Sequence, residues 1–334
     1  MCKIMLKYYS NRVGYFSMYN RDIFLYEVAR MYYKDRKTQT EIARDLGITR
    51  PTVAKLLKEA VDYGVVGISL RRPNDRYAYL TSKLCDLYNL KSVVICQNDG
   101  DIKTKYNLSQ ILLPNLKKML EQSNTIGVGW GSTIYEIVNS LPTLTTSVSH
   151  VVPLVGGFGI DNPQYHANYI ASKLAEKLST SFLYFYAPAV VDSAQMAHML
   201  MDSVFIKDVI DKARSVELAI VSPDVINEGS SLKRFGYMTS AEVTEYQNAD
   251  ITGNILCSFF NRFGKEVSTA LSKRMVGLHL QDLKFIPRVL LLACGVKKSL
   301  SITGLLRSGV ITDLGIDINL AEELILDYGL HMPK

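Results

Sequence analysis

The sequence predicts an α/β protein: a small all-α helix-turn-helix N-terminal domain followed by a doubly wound, largely parallel α/β domain. Three observations predict it. Apolar residues between 21 and 60 recur at helical spacing around one glycine, Gly47. From residue 75 onward, short apolar runs of strand type alternate with amphipathic helical segments, the pattern of βα units. The charge is also uneven: residues 1–72 hold 14 Lys+Arg against 7 Asp+Glu, while the remainder holds 24 against 25. A chain of 334 residues suits two domains better than one core.

The expected elements follow in order. Residues 1–20, basic and Tyr-rich, read as a flexible arm. Ile23, Phe24, Val28, Met31 and Tyr32 give one amphipathic helix over about residues 21–35. A short second helix starts at Thr38 or Gln39 and carries Ile42, Ala43 and Leu46 on one face. Gly47 makes the turn, where positive φ is needed, and Ile48 plugs the gap beneath it. Thr49 caps a third helix, Pro51 sits harmlessly in its first turn, and Val53, Leu56, Leu57 and Ala60 form its buried face. Gly64 ends that helix, and "VVGISLRRP" reads as a short strand or wing closing a domain over residues 21–72.

The body, residues 75–334, then reads as helix ("RYAYLTSKLCDLYNL"), strand ("KSVVICQ"), a helix over residues 104–121 open to interruption at Pro114, and strand ("NTIGVGW"). "GSTIYEIVNSL" and "YHANYIASKLAEKL" are helical and "HVVPLVGGFG" is a strand and turn. "SFLYFYAPAVV", "VELAIVS" and "RVLLLACG" are apolar enough for buried strands. "KSLSITGLLRSGV" and "NLAEELILDYGL" are helices flanking a strand at "DLGID".

Composition excludes several classes. With 48% apolar and 21% charged residues the chain is neither disordered nor a coiled coil. Its longest apolar run, Val289 to Cys294, falls far below the ~20 residues that span a bilayer, so no membrane association is expected. No signal peptide is evident. The five cysteines, Cys2, Cys85, Cys96, Cys257 and Cys294, show no CxxC or Cys/His ligand spacing. Reduced thiols in a cytoplasmic protein, with no metal and no cofactor, are the expectation.

A basic helix-turn-helix joined to a near-neutral body suggests double-stranded DNA as a partner. Thr49, Arg50 and Thr52 stand at the start of the third helix, the part that meets base edges in a major groove. Arg50 suits a bidentate guanine contact. Lys55 and Lys58 suit phosphates, and Gln39 and Thr40 suit the DNA backbone. A solvated surface charge is the alternative for each lysine.

In a parallel sheet, ligands bind beyond the carboxyl ends of the strands. Two glycine-rich turns are expected there. In the first, Gly129, Gly131, Ser132 and Thr133 lead a strand into a helix, where backbone N–H groups and hydroxyls can hold an anion. The spacing is neither GxGxxG nor a P-loop. In the second, Gly156 and Gly157 follow a strand. A plain tight connection is the alternative for both. His166, Asp250 and Lys298 are further polar candidates. Lys298 can pair with a phosphate or stand as a surface lysine. Asp250 and Lys298 could serve acid–base chemistry in a sugar-phosphate isomerase or aldolase. The sequence suggests no base oriented by a partner, however, and an isomerase has no need of the N-terminal domain.

"VARMYYKDRKTQTEIARDLGITRPTVAKLLKEAVDYGVV" resembles the DNA-binding part of the SorC family of sugar-responsive bacterial transcriptional regulators. "IGVGWGSTI", "VVPLVGGFG", "YAPAVVDS", "ADITGN", "ACGVKKSLSITGLLRSG" and "LGIDINLAEEL" are similar to its effector domain, in matching order over about residues 22–330. The resemblance implies a sugar-phosphate-isomerase-like domain that binds a phosphorylated sugar without turning it over. It also implies dimers or tetramers on paired operator half-sites. It makes Gly131, Ser132, Thr133 and Lys298 the phosphate clamp and turns Asp250 and His166 toward the sugar hydroxyls. This chain departs from the family at Val155, where some members have Arg or Lys, at Asn261 in place of Asp, and in "AIVSPD", which lacks glycines. His166 stands where some members have Gln.

Overall fold

A computed structural model describes residues 18–67, 75–159 and 162–330. The expected arm lies almost wholly outside the described residues, as does most of the wing. The chain divides into two compact units, Met1–Arg72 and Pro73–Lys334.

The first unit holds α1 (Met18–Ala29), continued by a π-helical turn at Arg30–Lys34, then α2 (Gln39–Leu46) and α3 (Arg50–Asp62). Val28, Ile42, Ala43, Val53 and Leu57 close one small core, with Ile48 and Leu56 packed against it. Leu25, Ala29 and Ala60 close another. Ile23, expected on the buried face, is exposed, and Leu25 takes that place. Each short helix starts on a built cap. Thr38 and Glu41 form a reciprocal capping box on α2, and Thr49 caps α3, whose N–H at Thr52 it accepts. Gly47 adopts φ +66°, the left-handed turn that lets α2 run into α3.

The second unit is built on a seven-stranded, all-parallel sheet. In chain order it opens with α4 (Asp75–Tyr88), β1 (Ser92–Cys96), α5 (Asp101–Glu121), β2 (Thr125–Val128), α6 (Ser132–Ser140), β3 (His150–Pro153), α7 (Ala167–Leu178) and β4 (Ser181–Phe182). There follow α8 (Ala194–Asp202), α9 (Val204–Arg214), β5 (Leu218–Val221), β6 (Asp224–Val225), α10 (Ser231–Arg234), α11 (Ser240–Asn248), β7 (Ile251–Ile255), β8 (Ser258–Asn261) and β9 (Glu266–Val267). The described residues end with β10 (Arg288–Leu292), α12 (Ser299–Arg307), β11 (Asp313–Asp317) and α13 (Ile318–Leu330). The sheet order is β1-β11-β10-β5-β2-β3-β4.

Both faces of this sheet are buried, and the strands show it residue by residue. Val94, Cys96, Ile126, Val128, Leu218, Ile220, Leu290 and Leu292 join a core with α5, α6 and α7. Their neighbours Val93, Ile95, Ala219, Val221, Val289 and Leu291 join the core on the other face. That alternation is the two-residue period of a strand covered on both sides, hence the near-continuous apolar runs.

Several expectations need correction. Pro114 does not interrupt α5, which runs unbroken from Asp101 to Glu121. Leu108, Leu112, Leu116, Met119 and Leu120 bury one face of that helix, and this packing outweighs the single backbone bond a proline removes. "SFLYFYAPAVV" contributes only the two-residue edge strand β4. Its continuation instead crosses to the Gly156–Gly157 turn, forming a bridge between Gly157 and Pro188. A separate antiparallel sheet, β6-β7-β8-β9, is an addition the sequence did not announce.

Candidate functional site

In the first unit, Gln39, Thr40 and Arg50 line one concavity of about 620 Å3, together with Tyr32, Tyr33, Arg36, Lys37 and Thr38. The starts of α2 and α3 therefore open onto the same groove. Thr49, Arg50, Thr52, Lys55 and Lys58 are all exposed. The Thr49 and Thr52 hydroxyls lie 2.8 Å apart, which fixes the first turn of α3. Among the described residues Arg50, Lys55 and Lys58 have no ion-pair partner, whereas Lys37 is held by Asp45 at 2.8 Å and Arg21 by Glu59 at 2.7 Å. Three unpaired cations thus stand along α3. A concave, basic face that presents a helix start has the shape and charge that meet a DNA duplex.

In the second unit the carboxyl ends of three adjacent strands, β10, β5 and β2, form a rim. Gly129 N–H donates to Ile220 O at 2.9 Å and ties the end of β2 to β5. Gly131 has φ +123°, a conformation suited to glycine, and donates its N–H to Tyr165 O at 2.8 Å. That bond draws the turn before α7, with His166, to the same rim. No side chain caps α6, which begins at Ser132. The N–H groups of its first turn therefore remain available to an anion.

Two lysines stand by this rim, and one of them touches the helix start. Lys298 reaches from the turn after β10 toward the end of β5, where its Nζ donates to Pro223 O at 3.2 Å. Burial pulls the Lys298 ammonium below its usual range, and the opposing pull of Asp224 does not compensate. Asp224 itself is engaged in capping α10, accepting from Ser230 Oγ at 2.9 Å and Ser231 N at 2.7 Å. The second lysine, Lys105, is one that sequence reasoning missed. Its Nζ donates to Asp101 Oδ2 at 2.8 Å and to Ser132 Oγ at 3.3 Å, and its charge depresses Lys298 further. Behind them, burial pushes the Cys294 thiol up to about 12, so it stays protonated and inert. Asp317 Oδ2 accepts from Gly295 N at 2.6 Å and fixes the turn that carries Lys298.

Aromatic rings border this polar floor. Trp130, next to Gly131, packs at 4.3 Å from Phe158 and 6.1 Å from Phe235. His166 meets Phe235 at 6.5 Å, and the Tyr237 hydroxyl accepts from Gly159 N at 2.7 Å. The rim therefore combines cations and free N–H groups with an apolar wall. It can hold an anionic group and one face of a ring at the same time.

Three candidates are placed elsewhere. Gly156 donates to Val276 O at 3.0 Å and Gly157 to Ala187 O at 2.9 Å, so neither N–H is offered to a ligand. A Cβ at Gly156 would stand 2.6 Å from Ala187 O, and this close approach of two backbones explains the glycine. Asp250 is held by Arg262, whose Nε donates to its Oδ1 at 2.6 Å. It lines a separate depression of about 340 Å3 with Asn227, Gln247, Thr252 and Lys297, which Ser132 and Lys298 do not line. Val155 is fully buried. Among the described residues no group of three or more His, Cys, Asp or Glu could hold a metal ion, and no helix is long and apolar enough to cross a membrane.

Comparison with known proteins adds a lineage. A family model described as "Putative sugar-binding domain" matches residues 73–326. The chain is 29% identical over 303 residues to the deoxyribonucleoside regulator of Bacillus subtilis (strain 168), covering 90% of this chain and 96% of that protein. It is 27% identical over 306 residues to the sorbitol operon regulator of Klebsiella pneumoniae, covering 90% and 96%. The crystal structure of the full-length sorbitol operon regulator SorC from Klebsiella pneumoniae matches with a TM-score of 0.80 at 25% identity, covering 93% of this chain and 100% of that one.

Proposed function

This chain belongs to the SorC family of transcriptional regulators that carry this sugar-binding domain, and from that premise we propose that a phosphorylated sugar controls its grip on DNA. It is a sugar-responsive DNA-binding regulator and not an enzyme, as its relatives are. The phosphate is supported by one observation above all: Lys105 bonds to Ser132 at the uncapped start of α6, and Lys298 follows β10 on the same rim. Two ammonium groups and a helix N-terminus suit a dianion. The ring of the sugar lies against Trp130, Phe158 and Phe235, with His166 near its hydroxyls. No lysine stands at position 155 to trap an aldehyde covalently.

In this reading the α2–α3 unit contacts an operator half-site, with Arg50 on a base edge and Gln39, Thr40, Lys55 and Lys58 on the backbone. A dimer or tetramer in the cytoplasm pairs two such units on a pseudo-palindrome, since linked sites raise effective concentration. The sugar acts by binding one assembly state better than the other, because equal affinity shifts nothing.

The test is thermal unfolding of the full chain with a panel of sugars and their phosphates, followed by DNA-binding assays on the gene's upstream DNA. A phosphorylated sugar raises the melting temperature and alters the affinity for DNA, while its unphosphorylated parent does neither. An equal response to the parent sugar would remove the phosphate from this account.

A further inference from the structure

Arg36 occupies left-handed backbone at φ 55°, between the π-helical turn and the Thr38 cap. Glycine adopts that conformation freely, and Asn or Asp tolerates it by bonding to its own backbone; arginine has neither advantage. The side chain is exposed, and among the described residues no acid pairs with it. The left-handed turn closes the helix end, but nothing inside the unit rewards an arginine side chain there, and that choice of residue points to a ligand.

The surroundings identify the ligand. The chain winds wide at this point: Asp35 N–H bonds back to Arg30 O at 3.0 Å and Lys37 N–H to Met31 O at 3.0 Å. That geometry puts Arg36 on the groove shared by Gln39, Thr40 and Arg50, whose lining includes no Asp or Glu. Lys37, the other cation of the turn, is neutralised by Asp45 at 2.8 Å. The groove is open and polar, which suits a tetrahedral anion on a larger chain and not an enclosed small molecule.

We infer that Arg36 holds a DNA backbone phosphate in this groove, a contact made outside the helix-turn-helix itself. The inference rests on the DNA-binding reading and extends it to the end of the first helix. A phosphate contact supplies affinity and register without sequence preference.

Full-length Arg36→Gly is the test, because glycine fits the backbone and the variant folds. Binding to short fluorescent duplexes, one of random sequence and one from the upstream DNA, is followed by anisotropy from about 50 to 200 mM salt. The variant binds both duplexes about tenfold more weakly at the lowest salt. Its slope of log affinity against log salt is shallower by about one, and its melting temperature does not fall. Arg36→Lys keeps the slope. Unchanged affinity and slope in Arg36→Gly would overturn the inference, and so would a loss confined to one duplex, which would put Arg36 on a base edge. Failure of the unmodified chain to bind either duplex overturns the DNA-binding reading itself, a result distinct from both.

Discussion

Lys105 donates to the Ser132 hydroxyl at 3.3 Å, joining two helices whose starts are 31 positions apart in the sequence, at Asp101 and Ser132. The same ammonium is paired with Asp101, and its side chain is only 12% exposed. A bound phosphate would compete with both partners, so the lysine is poised and not idle.

Replacement of Lys105 by Ala is expected to weaken a phosphorylated sugar about tenfold or more, the loss of one charge-assisted contact. Calorimetric titration measures it. DNA binding without the sugar is unchanged, which separates this effect from a folding defect. Retained sugar affinity would show that Lys105 serves only to hold α5 against α6.

Lys298→Met gives a different pattern. The folded pKa of Lys298 lies below the ordinary lysine value, so between the two the unfolded chain carries a proton that the folded chain lacks. Stability from this group therefore rises with pH across that window and is diminished below it. Methionine removes the charged, desolvated group. The sugar-free protein melts at a higher temperature at neutral pH, while the rise caused by the sugar phosphate disappears. In the unmodified chain the phosphate favours the charged lysine, so sugar affinity falls as pH climbs through the lowered lysine value.

The α2 cap governs the first unit. Thr38→Ala is expected to remove about 1 kcal/mol, read as faster amide exchange in α2. The Glu41 carboxylate is held below its usual range, chiefly by the Thr38 N–H and then by its hydroxyl. Its contribution is present above the ordinary glutamate range and is lost as pH falls through the lowered folded value. Thr38→Ala keeps the backbone N–H and loses only the hydroxyl, so acid loosens α2 somewhat more in the unmodified chain than in the variant.

Arg50→Ala tests the reading helix. It is expected to lose about 1–3 kcal/mol of discrimination between the operator and a variant changed at one guanine, measured by competition binding. Equally selective binding would put the recognition residue elsewhere on α3.

The fold was legible wherever burial writes itself into sequence. Strand runs such as "VELAIVS" and "RVLLLACG" are apolar through their centres because alternate residues enter two different cores, and Gly47 marked its turn because the backbone there requires positive φ. Gly131, Ser132 and Lys298 were legible as candidates too, since they follow strands. Lys105 was not, because it sits within an ordinary amphipathic helix and meets Ser132 only through the crossover from β1 to β2. Gly156 and Gly157 misled for a related reason: a glycine that admits a second backbone looks the same in sequence as one that admits a ligand. The outer sheet escaped notice because β6 and β9 have only two residues each.

β1 pairs along its whole length with β11, Ser92 opposite Asp313, although 221 positions separate them. During synthesis the three N-terminal helices emerge and pack early from local contacts, while the first strand of the sensor must wait for almost the last. A chain that stops short of Asp313 leaves β1 with no partner strand, so a late nonsense codon is expected to cost the whole edge of the sheet and not merely its last residues.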